Sequence, residues 1–224
     1  MQAGDARAFV PESLSNTPLT GQVADGLTLI AFTLEQGAIR LSLYASIRND
    51  RTTPACEAGM TTYFIDKAGQ VVTTATSVLE SAHFYRLDTG VVIRCLAPGE
   101  IAMTGLAELP PEIVLEELGS LQHAFPAFTV DNIVAVDALA VSDVALVTTG
   151  VGTLYAGTLR NELEVSVSSP RVTVFPVNRV GRPLTMATAS ASNLPASSAW
   201  SFETDNVNTS GVGFAAYPTA TFAP

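Results

Sequence analysis

Apolar and polar side chains alternate along the segment AIRLSLYASIRN, which runs from Ala38 to Asn49. A period of two is typical of a β-strand that buries one face and exposes the other. The pattern therefore predicts a half-buried strand, and its Arg-Asn end predicts the start of a loop. The apolar face would carry Ile39, Leu41, Leu43, Ala45 and Ile47, and the solvent face Arg40, Ser42, Tyr44 and Ser46.

Further stretches are rich in the β-branched and aromatic residues that strands favour. They are LTLIAFTL, TTYFI, VVTTAT, TGVVIRCL and IAMTGLAEL. DKAG separates the second from the third, and its Asp and Gly favour a type I turn with a glycine bulge. Short strands that recur about every ten residues indicate a β-sandwich or a barrel.

The pattern is written twice, 112 residues apart in a chain of 224. SIRND recurs as TLRNE, and TTYFIDKAGQVVTTAT recurs without a gap as TVFPVNRVGRPLTMAT. We interpret this gapless repeat as a tandem duplication. Solenoid repeats have periods of roughly 20–50 residues, so a period of 112 favours an all-β protein of two sandwich domains over a solenoid. The expected parts are a flexible or extended arm at 1–20, a first sandwich at 21–110, a linker or first element of the second domain at 111–130, and a second sandwich at 131–224.

The segment LPPEIVLEELGSL, from Leu109 to Leu121, departs from the strand pattern. A proline suited to a first helical turn, three glutamates and Gly119 as a stop are typical of a short helix. Because the segment lies at the midpoint of the chain, a linker or the first strand of the second domain is the alternative.

A strand that ends in Arg-Asn-Asp, followed by YFIDKAGQVV and then by CLAPGE before a final strand, resembles the FxLYD-type domains of bacterial and archaeal surface proteins. The resemblance covers roughly residues 25 to 108 and, more faintly, 137 to 220. It implies two tandem immunoglobulin-like sandwiches that are exported from the cytoplasm. It implies neither an enzymatic activity nor a defined ligand.

The chain carries a net charge of −10, and lysine occurs once, at Lys67. An acidic surface repels phosphate backbones and anionic lipids, so nucleic acid and membrane surfaces are not expected partners. No apolar run approaches the ~20 residues that a membrane-spanning helix needs. A protein partner or self-assembly is therefore expected, with a polysaccharide as the alternative.

The two histidines, His83 and His123, lie in unrelated contexts. Neither belongs to an H-x-x-x-H or H-x-H pair, and neither lies near a G-x-S-x-G nucleophile. We expect both to be surface or loop residues, with no catalytic residue, no metal and no cofactor. GVGTLYAG (150–157) lacks the lysine of a phosphate loop and is predicted to be a strand with packing glycines.

The carboxylates are dispersed along the chain, and no EF-hand loop is present. A calcium ion between the two domains would need acidic residues that converge near the linker. The residues available for such a site are Glu112, Glu116, Asp131 and Asp137.

Trp200, the single tryptophan, shares one face of a predicted strand with Phe202. Buried, it would be a core residue; exposed beside Asp205 and Asn206, it would suggest a platform for a sugar or a protein. Trp200, Phe202, Phe84 and Tyr85 are the candidate ligand-contact aromatics. An exposed patch of Trp200 with Phe84 and Tyr85 would favour a carbohydrate-binding module.

Both cysteines, Cys56 and Cys95, belong to the first copy, and Ser168 and Val207 stand 112 residues after them. Presence as a set in one copy and absence as a set in the other is the pattern that a disulfide gives. We predict a Cys56–Cys95 bond, which would imply an oxidising compartment. Two buried free cysteines are the alternative.

The sequence therefore favours a non-enzymatic extracytoplasmic protein with a binding or structural role, such as a surface, fibre or complex-associated subunit. Its location would be secreted, periplasmic or on the cell surface of a bacterium. No signal peptide is recognisable in the chain, and we expect one to have been removed; a native cytoplasmic N-terminus is the alternative. A carbohydrate-binding module and an enzyme with an unrecognised site are the alternative functions.

Overall fold

The computed structural model describes residues 23–24, 26–36, 41–106, 109, 113–207 and 211–222, and in this part the chain is all-β, without an α-helix. The arm predicted at 1–20 lies outside the described residues. The strands are β1 (Val23–Ala24), β2 (Leu27–Gln36), β3 (Leu41–Asn49), β4 (Ala55–Cys56), β5 (Gly59–Asp66), β6 (Val71–Val78), β7 (Phe84–Arg86), β8 (Val92–Leu96), β9 (Ile101–Leu106), β10 (Leu118–Ala124), β11 (Val134–Val136), β12 (Leu139–Thr149), β13 (Gly152–Asn161), β14 (Val167–Val177), β15 (Ala187–Ser190), β16 (Asn193–Leu194), β17 (Ala199–Glu203) and β18 (Gly213–Phe222).

The first half of the protein, residues 23–128, is an antiparallel sandwich. One sheet has the strand order β1-β2-β3-β9, and the other has the order β10-β5-β6. The predicted strands LTLIAFTL, TTYFI, VVTTAT, TGVVIRCL and IAMTGLAEL correspond to β2, β5, β6, β8 and β9, which confirms them. The two sheets enclose a core whose fully buried side chains include Leu27, Leu34, Leu43, Ile47, Met60 and Phe64.

The second half, residues 134–222, has the same arrangement of strands. One sheet has the order β12-β13-β17. In the other sheet β14 lies between β15 and β18, and β16 pairs with the first residues of β14. The GVGTLYAG segment leads into and forms part of β13, as predicted. A side chain on Gly157 would collide with the Phe202 ring, at 2.8 Å, so this glycine permits close packing of β13 on β17.

Strand registers repeat between the halves at a separation of 112 residues. Leu27 pairs with Asn49 as Leu139 pairs with Asn161. On the opposite sheets, the β5–β6 pair Thr61 and Thr76 corresponds to the β14–β15 pair Thr173 and Thr188. Equivalent strands therefore occupy equivalent places in both sheets of each half.

The Arg-Asn pair ends its strand in both halves, and its asparagine is fully buried in both. The Asn49 amide donates to the carbonyls of Thr53 and Leu96, at 3.1 and 2.8 Å. The Asn161 amide donates to Val165 and Leu194, at 2.8 and 3.3 Å, and also to Pro195. Each side-chain oxygen accepts a backbone N–H two residues later. The asparagine therefore holds the loop after the strand onto the loop that precedes β9 or β17.

The hairpin turn predicted from DKAG is present in both halves. Asp66 Oδ1 accepts the N–H groups of Ala68 and Gln70, at 2.9 and 2.8 Å. Asn178 Oδ1 accepts the corresponding N–H groups of Val180 and Arg182, both at 3.0 Å. Gly69 and Gly181 have φ values of 82° and 76°, which glycine adopts without strain.

After β6 the two halves differ in length. Arg48 faces Ile101 on β9, whereas Arg160 faces Ala199 on β17, so the separation of equivalent residues falls from 112 to 98. The first half thus has 14 additional residues between β6 and β9, and they include the β7–β8 hairpin. This hairpin joins β4 and β11 in a small sheet of order β11-β7-β8-β4. Cys95 lies in the insertion, so the Val207 equivalence inferred from a constant separation does not hold.

The segment at the middle of the chain closes the first half. A 3-10 turn occupies Leu115–Glu117, as the short-helix interpretation predicted, and β10 follows it directly. The predicted linker or first element at 111–130 contains β10, but β10 pairs with β5 and therefore belongs to the first half. The alternative reading of this segment as the first strand of the second half is corrected accordingly.

The two halves pack against each other through one face of each. Tyr44 and Met103, on the outer face of β3 and β9, form a buried cluster with Phe175 and Tyr217 of the second half. The Tyr217 hydroxyl donates to the Ile101 carbonyl at 3.0 Å, and the Thr33 hydroxyl donates to the Pro183 carbonyl at 2.6 Å. The expectation that β3 exposes its Ser42, Tyr44 and Ser46 face is therefore wrong, because the second half covers that face.

Candidate functional site

The cysteines form the predicted disulfide. Cys56 on β4 and Cys95 on β8 face each other across an antiparallel pair, with an S–S distance of 2.07 Å, and each is 1% exposed. The Cys56 backbone also exchanges both hydrogen bonds with Phe128, at 2.9 Å. The disulfide therefore ties the inserted hairpin to the loop after β3 and to the chain that leaves the first half.

A carboxylate organises the base of the same hairpin. Glu100 accepts the N–H groups of Ala82 and Ala97, at 3.1 and 2.7 Å, and lies 2.7 Å from His83 Nδ1. The buried Ser81 hydroxyl lies 2.8 Å from the Cys95 carbonyl and 3.1 Å from Glu100. The Ser81 hydroxyl donates to the Cys95 carbonyl or to the Glu100 carboxylate and not to the His83 imidazole. This Ser–His–Glu group therefore lacks the serine-to-imidazole hydrogen bond of an activated nucleophile.

The two histidines have opposite environments. His83 has a side chain that is 53% exposed, as predicted. His123 lies on β10 and is buried, with Nδ1 3.0 Å from the Thr62 hydroxyl and its ring beside Phe32 and Phe125. Burial lowers the pKa of His123 to about 4. The surface or loop expectation is therefore wrong for His123, because the predicted linker contains β10, a strand of the first half on which His123 is buried.

A buried ion-pair cluster joins the halves. Glu80 is 6% exposed, and its two carboxylate oxygens contact Arg94 of the inserted hairpin and Arg171 of β14. The Arg171 contact is 2.6 Å. A buried carboxylate needs such partners, since an unpaired charge there would be very costly. Each oxygen of the Glu80 carboxylate has a guanidinium partner, and the Arg171 contact links the second half to the first.

The candidate ligand-contact aromatics do not form an exposed patch. Phe84, Tyr85 and Phe202 are 3%, 9% and 2% exposed. Trp200 is half-buried and packs beside Phe202, with ring centroids 5.9 Å apart. Phe84 reaches from the inserted hairpin into the second core, where it meets Phe222 at 5.4 Å. Trp200 and Phe202 are thus core residues.

Two open clefts, each of about 700 Å³, flank β11, and both are lined by Asp137 and Glu162. Among the described residues, no group of three or more His, Cys, Asp or Glu side chains could hold a metal ion. Glu112 lies outside that part of the chain, so the calcium hypothesis for it stays a prediction. None of the described helical segments has the length and hydropathy to cross a membrane.

Sequence reasoning missed an exposed apolar surface on the second half. Its side chains are at the end of β12, at the β12–β13 turn and at the start of β18. We call this surface the apolar end. It consists of Leu146 (45% exposed), Val147 (37%), Val151 (85%), Val212 (69%) and Phe214 (42%).

The equivalent positions of the first half are covered. Leu34, which corresponds to Leu146, is 0% exposed, and Leu121, which corresponds to Phe214, is 7% exposed. Residues 113–118, here named the closing segment, add Ile113, Leu115 and Leu118 to the first core. The second half has only NTSG between Val207 and Val212. This missing apolar segment was the sequence signal that could have revealed the surface.

The chain matches no protein-family model and no characterised protein. The geometry therefore carries the functional conclusion.

Proposed function

We propose that the chain is a non-enzymatic extracytoplasmic protein that acts by binding another protein. Its two halves would be copies of one immunoglobulin-like unit, held as a single rigid body. The observation that carries the proposal is the Cys56–Cys95 disulfide, because such bonds persist in secreted, periplasmic and cell-surface proteins and are rare in the cytoplasm.

The repeated registers support a duplication of an immunoglobulin-like unit. The orders β2-β3-β9 and β10-β5-β6 correspond to the A-B-E and F-C-C′ orders of immunoglobulin-type sandwiches. The second half repeats both orders, and the buried Asn49 and Asn161 make matching hydrogen bonds. Hydrogen bonds from one side chain to two separate loops are a demanding geometry, so their repetition supports descent from one sequence better than turn residues alone.

The contacts between the halves support action as one body. A cluster that includes Tyr44, Phe175 and Tyr217 is buried at the junction, and the buried Glu80 carboxylate pairs there with the partly exposed Arg171. Such a junction holds the exposed surfaces of the two halves in a fixed relative position. A binding or structural protein needs this property, whereas the Ser81–His83–Glu100 group offers no activated nucleophile.

The export part of the proposal has a direct test. Protein isolated from its own cells is alkylated without reduction while folded, then again after unfolding, and its mass is measured after each step. We expect no thiol to react in either state until a reductant is added. Two thiols that alkylate on unfolding without reductant would contradict an oxidising location.

A further inference from the structure

The apolar end of the second half points to an interaction surface, and we infer that it binds a second copy of this chain. The inference deepens the proposed function, on which it rests, by naming the partner. In the two-fold contact that the geometry favours, the edge strand β12 pairs antiparallel with β12 of the second copy. The paired strands bring the two apolar ends together and complete both cores.

The edge of β12 is suited to pairing with another strand. Among the described residues, β13 is the only strand that pairs with β12, and none of these residues pairs with its other edge. A register shift between Ser142 and Ala145 ends the bulged part, and residues 145–149 pair regularly with β13. Exposed edges are normally protected by a charge, a proline or a bulge. VALVTT (144–149) contains neither a charge nor a proline, and it lies beyond the bulge.

The equivalent edge of the first half is protected. Glu35 on β2 occupies the position of Val147 on β12, since both stand one residue after the matched leucines Leu34 and Leu146. The Glu35 side chain is half-buried, and this burial raises the pKa of its carboxyl. Thr33 on the same strand is buried against the second half through Pro183. The open edge is thus a property of the second half.

The distribution of charge favours a second copy as the occupant. Two copies that each carry a net charge of −10 repel where their acidic side chains meet, so self-association is favoured through a surface on which charge is sparse. In a chain with net charge −10, residues 144–159 and 206–224 contain no charged residue. Arg179 and Arg182 lie in the β14–β15 turn of the other sheet. Asp143, in the bulged part, is the single charged residue of β12, so a partner recognised through charge would find no complementary group on residues 144–149.

The first half shows which chemistry satisfies such a surface. There the closing segment buries Ile113, Leu115 and Leu118, whereas the sequence of the second half has only the polar residues NTSG between Val207 and Val212. In the dimer, Leu146 and Phe214 of one copy would receive the corresponding side chains of the other. Val147, which alternation places on the opposite face of β12, would pack on the outer face of the paired strands. In the first half the closing segment of the same chain covers the core, whereas in the dimer the second copy would cover the core of the second half.

The test compares the association of the full chain with that of two charge variants. Val147→Glu introduces on β12 the carboxylate that Glu35 provides at the equivalent position of β2. Val72→Glu is the matched control, because Val72 is 42% exposed on β6, an edge strand of the first half. Sedimentation velocity and light scattering are run up to about 100 µM, where a contact with a micromolar Kd is mostly dimeric. Circular dichroism and thermal melts check that each variant is folded.

We expect a dimer for the native chain and for Val72→Glu, and at least a tenfold weaker dimer for Val147→Glu. A native chain that remains monomeric at the highest concentration would overturn the inference. So would a dimer that Val147→Glu does not weaken.

A cross-linking arm tests the surface if Val147→Glu does not fold. The described chain has no free cysteine, so Val147→Cys and its control Val72→Cys each add one accessible thiol. Mild oxidation should give a covalent dimer only with Val147→Cys, and equal cross-linking of both variants would contradict the inference. If the protein is monomeric and its Cys56–Cys95 bond is intact, the dimer is contradicted and the proposed extracytoplasmic location is not. If the protein is a dimer with free thiols, the location is contradicted and the dimer is not.

Discussion

The first and second halves share their framework and differ at their ends. Both have the same strand order, the same registers and the same buried asparagine after the Arg-Asn strand end. Only the first half has the disulfide-bonded hairpin and the closing segment. The framework is held by backbone pairing and by side chains that make matching hydrogen bonds, such as Asp66 and Asn178, whereas the ends differ by a hairpin and a segment. The differences between the halves therefore lie at their ends and not in the shared framework.

The largest effect should come from removal of the disulfide, because only the first half has one. Cys56→Ala with Cys95→Ala opens a loop of 39 residues and should lower the free energy of unfolding by roughly 4 kcal/mol in the chain-entropy model. Hydrogen exchange followed by peptide should locate the loss in β4, β7 and β8, with β13 and β14 less affected. Equal loss of protection in both halves would contradict the claim that the disulfide stabilises the first half selectively.

The buried asparagines should respond alike, because their hydrogen bonds match. Asn49→Ala and Asn161→Ala each leave buried carbonyls without a donor, and each should cost about 3 kcal/mol. Urea unfolding measures both, and Asn193→Ala, at an exposed position on β16, is the control for loss of an amide. A large effect at one position and none at the other would break the claim of a shared framework.

Acid should destabilise the first half selectively. His123 pairs with Thr62 on β5, and the matching β14–β18 pair, Val174 with Ala216, has alanine in its place. Because the pKa of His123 is lowered to about 4 in the fold, the unfolded chain, near 6.5, takes up the proton first. Stability should therefore fall as pH decreases from about 6.5 towards 4, by roughly 3 kcal/mol in total.

His123→Asn keeps a group that can bond to Thr62 but does not titrate in this range. Urea unfolding of this variant between pH 7 and pH 4 should lack the fall in the free energy of unfolding that is attributed to His123. An unchanged slope would mean that other groups cause the acid loss.

A smaller effect should follow at the junction of the halves. Tyr217→Phe removes the hydroxyl that donates to Ile101 and should cost about 1 kcal/mol. Burial, and then the nearby Glu100 and Glu80 charges, raise the pKa of Tyr217, so its hydroxyl stays a donor at high pH. Tyr63→Phe, the same change at a half-buried position on β5, is the control in thermal melts. Equal shifts in the two variants would argue against a specific junction contact.

Local patterns of the sequence predicted the parts that depend on neighbours along the chain. The DKAG and NRVG turns have the predicted glycines, and the disulfide followed from the unequal distribution of two cysteines. Alternation in AIRLSLYASIRN identified the inner face of β3. It could not identify the outer face as buried, because Tyr44 on that face is covered by Phe175 and Tyr217, which are more than 100 positions away.

The candidate site was harder to predict, since it depends on changes of length. A constant separation of 112 concealed the inserted hairpin and placed Cys95 opposite Val207. It also assigned β10 to a linker, which made His123 a surface residue. Phe84 and Tyr85 looked available for a ligand because their partners, Phe222 and the disulfide cluster, are distant in sequence.

Hydrogen–deuterium exchange at low and high protein concentration tests the central contrast, a closed first half and an open second half, most directly. We predict that amides of residues 144–149 on β12 gain protection as concentration rises, while those of residues 32–35 on β2 exchange at the same rate throughout. Protection of β12 that does not depend on concentration, or a gain on β2 alone, would contradict it.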